Sequence, residues 1–238
     1  MTSKTPRAPG EDNVEVVSVR NAAPQMQFKR LTTPRAAAIA GIVFSALFSA
    51  SIILLRSALP AGTVASTAWA HESGKINIAL RLIPFAGIAF LWFIGVIRDR
   101  LGGYEDRFFS TVFFGSGLLF LAMVFVSSGV AAATLASGEL TKSAGSQVIY
   151  FGRVIMLQVS NVYAIRMAGV FMISLGTIWW RTGLMPRWLA VISFLVALTL
   201  LVVINLSLWL ALLFPAWTFL VSVLVLVRNR RSAASPVA

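Results

Sequence analysis

The sequence predicts an all-α polytopic membrane protein, a bundle of six transmembrane helices with both termini in the cytoplasm. Three observations predict it. The 238 residues are 58% hydrophobic and only 12% charged, with a mean hydropathy of +0.85, whereas soluble domains run at about 45–50% apolar and 25% charged. The apolar residues gather in runs of about 20, the length a helix needs to cross a hydrocarbon layer roughly 30 Å thick. When those runs are laid back and forth through a bilayer, the basic residues collect on one side.

Residues 1–34 mix Pro, Ser, Thr, Asn, Gln and charges of both signs, with little to bury beyond Val14, Val16 and Val17, so a disordered cytoplasmic tail is expected. A single membrane domain is expected over 35–228 and a short cytoplasmic tail over 229–238. The first span is 36–55. Ala68-Trp69-Ala70 has the small-x-small form of a signal-peptide cleavage site. The run before it, however, exceeds the about 7–15 apolar residues of a signal core, and Arg56 stands between, so a retained helix is expected. Gly41, Ser45 and Ser49 recur every fourth residue on it, a small-residue stripe where another helix can approach closely.

Residues 57–75 read as a polar loop with His71 beside Glu72, too few ligands for a metal site. The second span, 76–97, contains Arg81 and Pro84; the proline leaves the Leu80 carbonyl without its helical donor, next to a long cation. The third span is 108–130, followed by a small-residue loop to 147. In the fourth hydrophobic stretch, counting back about 20 residues from the interfacial pair Trp179-Trp180 gives 161–180. That leaves Arg153 on an interfacial extension and Arg166 inside the span. Residues 188–227 are nearly all apolar. One helix of that length would measure about 60 Å, so the run is expected to fold at Asn205-Leu206-Ser207 into spans 188–204 and 208–227.

Charge tests this layout independently. With the N-terminus inside, the cytoplasmic side receives the basic residues of the tail and Arg35, then Arg98, Arg100 and Arg107, then Arg181 and Arg187, then Arg228, Arg230 and Arg231, which is 14 of the 20. The other side receives Arg56, Lys75 and Lys142. This is the positive-inside pattern of a multi-pass plasma-membrane protein. The net charge of +12 is thereby assigned to anionic headgroups, and no nucleic-acid partner is needed.

Chemistry is sparse. All eight carboxylates lie in expected tails or loops, no cysteine is present and the one histidine is in a loop. Proton-coupled transport by an intramembrane acid, Schiff-base chemistry and hydrolysis within the membrane each lack a needed group. A non-enzymatic protein with no cofactor and no metal is expected. Arg81 and Arg166 remain, at similar depths about 21–24 Å of helix from the cytoplasmic ends of their spans. Gln158 and Ser174 share a mildly polar face with Arg166. Two guanidinium groups without a carboxylate suit a phosphate or carboxylate, so Arg81, Arg166, Gln158 and Ser174 form the expected anion site near the outer leaflet. The competing reading is that both arginines reach the headgroups or pair with backbone carbonyls.

Two functions are carried forward. One is permeation or transport of an anionic species. The other is an accessory or scaffolding subunit that binds a membrane protein partner, or a second copy of itself, through small-residue helix faces.

Two resemblances add to this. Gly95-Val96-Ile97-Arg98-Asp99-Arg100-Leu101-Gly102 resembles the G-x-x-x-D-R-x-G start of the loop between helices two and three in major facilitator transporters, where the Asp and Arg bear on helix packing and gating. The family's following basic pair is replaced here by Gly103-Tyr104, and six helices are half of that fold. The basic residues before a glycine-containing first helix, with Arg181-Thr182-Gly183-Leu184-Met185-Pro186-Arg187-Trp188-Leu189-Ala190 entering helix five, are similar to small six-helix bacterial integral membrane proteins of uncharacterised activity. That resemblance implies the helix count and no activity.

Overall fold

The structure is a computed structural model that describes residues 34–58, 72–101, 107–140, 146–202 and 208–233. The N-terminal tail, His71, the break at Asn205-Leu206-Ser207 and the last residues lie outside the described residues. Those described are helical, with no strand among them: α1 (Pro34–Ala58), α2 (Ser73–Leu101), α3 (Arg107–Leu140), α4 (Ser146–Gln158), a π-helical turn (Val159–Ala164), α5 (Ile165–Thr182), α6 (Arg187–Val202), a 3-10 turn (Leu208–Leu212) and α7 (Leu213–Ala233). The stretch α4–π–α5 runs without interruption, as does the 3-10 turn into α7.

Five of the resulting rods are long and apolar enough to cross a membrane: Ala36–Ala58, Ser73–Asp99, Phe108–Ser137, Gln147–Thr182 and Trp209–Arg228. The sixth, α6, is apolar but shorter, 16 residues, or about 24 Å at the helical rise. Large apolar side chains such as Phe85, Trp92, Phe151 and Leu195 point outward and are 60–67% exposed. Such a surface would be costly in water and suits lipid.

Several expected boundaries shift. α3 continues through the Ala-rich 131–136 to Leu140, where a small-residue loop was expected. Alanine is the strongest helix former, and Thr134 hydrogen-bonds back to the Val130 carbonyl at 2.7 Å. α4 joins the fourth span as packed structure, its Ile149 and Met156 buried with Ala58, Ile76 and Ala131. Arg98, Asp99 and Leu101, expected in a loop, are still in α2. The turn between α5 and α6 is built as its sequence requires. Gly183 adopts φ 65° and donates its N–H to the Trp179 carbonyl, the left-handed helix stop that glycine takes without a Cβ clash.

α1 packs extensively on α2 and α7, α3 on α2, α4 and α5, and α6 chiefly on α5, so the helices form a closed arrangement. Its centre is aromatic. Phe44, Phe90, Phe120, Phe171 and Phe214, one each from α1, α2, α3, α5 and α7, are all at most 1% exposed, with ring centroids 4.6 Å apart for Phe44–Phe90 and 4.8 Å for Phe120–Phe214.

The small-residue stripe of α1 is used within the chain. Gly41 and Ser45 are buried, and a Cβ at Gly41 would run into the Ser222 hydroxyl of α7 and lie 2.8 Å from the Phe93 ring of α2. The helix that approaches this stripe closely is the chain's own α7.

Candidate anion site

Backbone hydrogen bonds in an apolar medium must be made internally, and most hydroxyls here close onto their own helix four residues back, as Ser174 does onto the Val170 carbonyl. Against that background one polar contact between distant segments stands out. The Arg56 guanidinium, in the last turn of α1, donates to Asn161 Oδ1 at 3.0 Å. Arginine has only donors, so the amide must present its oxygen to it. Asn161 is 9% exposed and sits in the π-helical turn, where the Ile165 N–H reaches back five residues to the Ser160 carbonyl. The wider turn inserts an extra residue and re-aims the side chains beside it, a feature frequent at functional sites.

Arg56 and Asn161 line a cavity of about 70 Å³ bounded by α1, α2, α3, α4, the π turn and the 3-10 turn. Ser51, Ser127, Ser128 and Ser160 are the hydroxyls of its lining, and Phe48 and Phe120 its phenylalanines. The four serine protons are committed to backbone carbonyls, those of Ala79, Met156, Phe125 and Leu157. What remains to donate is the rest of the Arg56 fork and the Asn161 amide. Arg153, half-buried on α4, lies close enough for its like charge to act on Arg56. Among the described residues Arg56 meets no carboxylate; Lys75 pairs with Glu72 at 2.9 Å at the start of α2.

The residues expected from sequence are placed elsewhere. Arg81 is exposed on α2 and its Nε donates to Asn77 Oδ1 at 3.1 Å, one turn back. It does not take the Leu80 carbonyl that Pro84 leaves undonated. Arg166 is half-buried and donates to the Val162 carbonyl at 3.0 Å, within the π turn. Gln158 is exposed and Ser174 is buried and bonded to its own helix. None of the four lines the cavity. Sequence reasoning missed Arg56 because it treated the residue as a boundary charge, whereas α1 continues to Ala58. It missed Asn161 because a π turn has no sequence signature that separates it from α-helix.

A second cavity, about 90 Å³, lies toward the other end of the bundle, lined by Ala37, Ala38, Phe93, Ile97, Trp179 and neighbours, with Ser222 its one hydroxyl. Along α1 and α2 the two cavities are separated by Phe44 and Phe90, in the ring series Phe48–Phe44–Phe90–Phe93. At this second end Arg98 lies over the Phe114 ring at 4.3 Å and Arg181 over Phe109 at 5.0 Å. Arg98 thus holds α2 to α3.

Comparison with protein-family models, curated proteins and solved structures finds no match. No group of three or more metal-ligating side chains occurs among the described residues.

Proposed function

We propose that this protein is a non-enzymatic, transport-type protein of the plasma membrane that crosses the bilayer six times, keeps both termini in the cytoplasm and takes an anion into the Arg56–Asn161 cavity from the outer side. The observation that carries this is Arg56 itself, a half-buried guanidinium whose polar partner is a neutral amide, with Arg153 repelling it. A charge drawn partly out of water without a counter-charge is unfavourable, and an incoming carboxylate or phosphate supplies what no described residue does. The six crossings follow from the basic-residue bias, with α6 completing a hairpin with α7. A cavity on each side of the aromatic centre supports a route through the bundle that opens from one end at a time.

The test is anion-dependent stabilisation of purified protein in lipid nanodiscs, with acetate and inorganic phosphate as probes. Hydrogen bonds to charged groups contribute about 1.5–3 kcal/mol, so Arg56→Gln should weaken anion binding by about 10- to 100-fold. Equal stabilisation of wild type and Arg56→Gln would refute the site. A second reading, the accessory subunit, draws on Gly95, Gly115 and Gly129, which stand open on α2 and α3 where a partner helix could approach. Protein that ignores every anion but leaves the membrane with a stoichiometric partner would favour it.

A further inference from the structure

We infer that the ligand of this cavity is a small amphiphilic anion, a carboxylate or phosphate head on an alkyl chain; this rests on the anion-site reading above and names the ligand's class. The head is set by Arg56 and Asn161, the cavity's uncommitted donors. Toward Phe48 and Phe120 the lining is mainly apolar, with Leu80, Ile83, Val124 and Ile165, and its hydroxyls there, Ser51 and Ser127, spend their protons on backbone carbonyls. A water held there needs two to four polar partners, and this part of the lining offers only the acceptor lone pairs of Ser51 and Ser127. The cavity's volume of about 70 Å³ is several times the roughly 10–15 Å³ that one water occupies by the same measure. An inorganic ion at the rim would leave the inner part without a suitable occupant. An alkyl chain fills it. From Arg56 down to Phe48 is about 12 Å of helix, which gives room for a chain of medium length with its head on the guanidinium.

The shared chemistry, an anionic head on an apolar tail, belongs both to soluble alkyl acids and to membrane lipids, and the experiment separates them. Wild type, Arg56→Gln and Ala211→Leu are titrated in zwitterionic nanodiscs with acetate, butyrate, hexanoate and octanoate, and with inorganic phosphate and the matching alkyl phosphates. Wild-type affinity should rise about fourfold per methylene until the tail meets the phenylalanines, and Arg56→Gln should bind every member of the series about 10- to 100-fold more weakly. Ala211 is a buried wall residue; Ala211→Leu should keep acetate and phosphate binding but stop the rise at a shorter chain. Val124→Phe serves the same purpose should Ala211→Leu fail to fold.

A flat series with Arg56-dependent acetate or phosphate binding overturns the amphiphile and leaves the anion site standing. A rise through affinities that are the same in Arg56→Gln reports partition into the bilayer and also overturns it. No Arg56-dependent binding by any probe defeats both. Repeating the titration in nanodiscs containing phosphatidylglycerol identifies the source: competition by the lipid assigns the cavity to a membrane lipid, and its absence to a soluble amphiphile.

Discussion

Arg56 and Asn161 divide the work of the site between charge and aim. The guanidinium supplies the attraction. The amide fixes where it points, since its oxygen can face nothing on arginine but donors. Asn161→Asp would keep the size of the side chain and place beside Arg56 a carboxylate that no described residue supplies there. The internal ion pair should then compete with ligand, so anion affinity should fall at least tenfold while the ligand-free protein melts at a higher temperature than wild type; unchanged affinity in calorimetry would contradict this. Arg166 illustrates the other outcome for an intramembrane arginine. Its donation to the Val162 carbonyl satisfies a backbone acceptor within a single helix, which is the carbonyl-pairing alternative recognised from sequence. Arg81, exposed and bonded to Asn77, has neither cavity nor burial to make it a site.

Among the elements, the π turn has the most consequence for its length. It holds Asn161 on the cavity and the Val162 carbonyl on Arg166, and it separates α4, packed on α3, from α5, packed on α3 and α6. Deleting Val162 should restore a regular ladder, removing the extra residue of the wider turn and with it the re-aiming of Asn161. Anion-dependent stabilisation should then disappear while helical content by circular dichroism stays within a few per cent of wild type. Retained anion binding would mean that Asn161 is not aimed by this turn. Elsewhere the elements follow ordinary membrane rules. Hydroxyls close onto their own helices, and close approaches occur where side chains are small, as at Gly152 against Thr134 and Gly41 against Ser222.

For the whole molecule the aromatic centre is decisive. Phe90 touches Phe44, Phe93, Phe120, Phe171 and Phe214 and stands between the two cavities. In lipid the surroundings are as apolar as the core, so burial supplies little net drive and packing supplies the stability. Phe90→Ala should therefore cost no more than the about 3–5 kcal/mol of a buried Phe→Ala change in water, and should join the cavities. Because the chain has no cysteine, Ser222→Cys in the second cavity can be labelled alone. A membrane-impermeant thiol reagent applied from the Arg56 side should modify it faster in the Phe90→Ala background than with Phe90 intact. Equal rates would mean that these rings do not divide the path.

How much of this could be read from the residues alone varies with the range of the interaction involved. The helical class and the long apolar segments are local or compositional, so they were legible. The extension of α3 was not, because Ala, Ser and Gly serve helices and loops alike. The α1 stripe was legible as a surface that another helix approaches, and an outside partner was one of the readings carried for it, since spacing records that a helix is approached and not by which neighbour.

Hydropathy and the placement of basic residues are properties of single segments, and they define an all-helical chain built for a lipid medium without reference to any contact. The cavity exists through α1, α2, α3 and the π turn together, and Arg56 meets Asn161 across 105 positions of chain. Which of several arginines acquires a polar partner and an enclosed space depends on the rotation and register of packed helices. Those are set by side chains far apart in sequence, so only the folded molecule could choose Arg56 over Arg81 and Arg166.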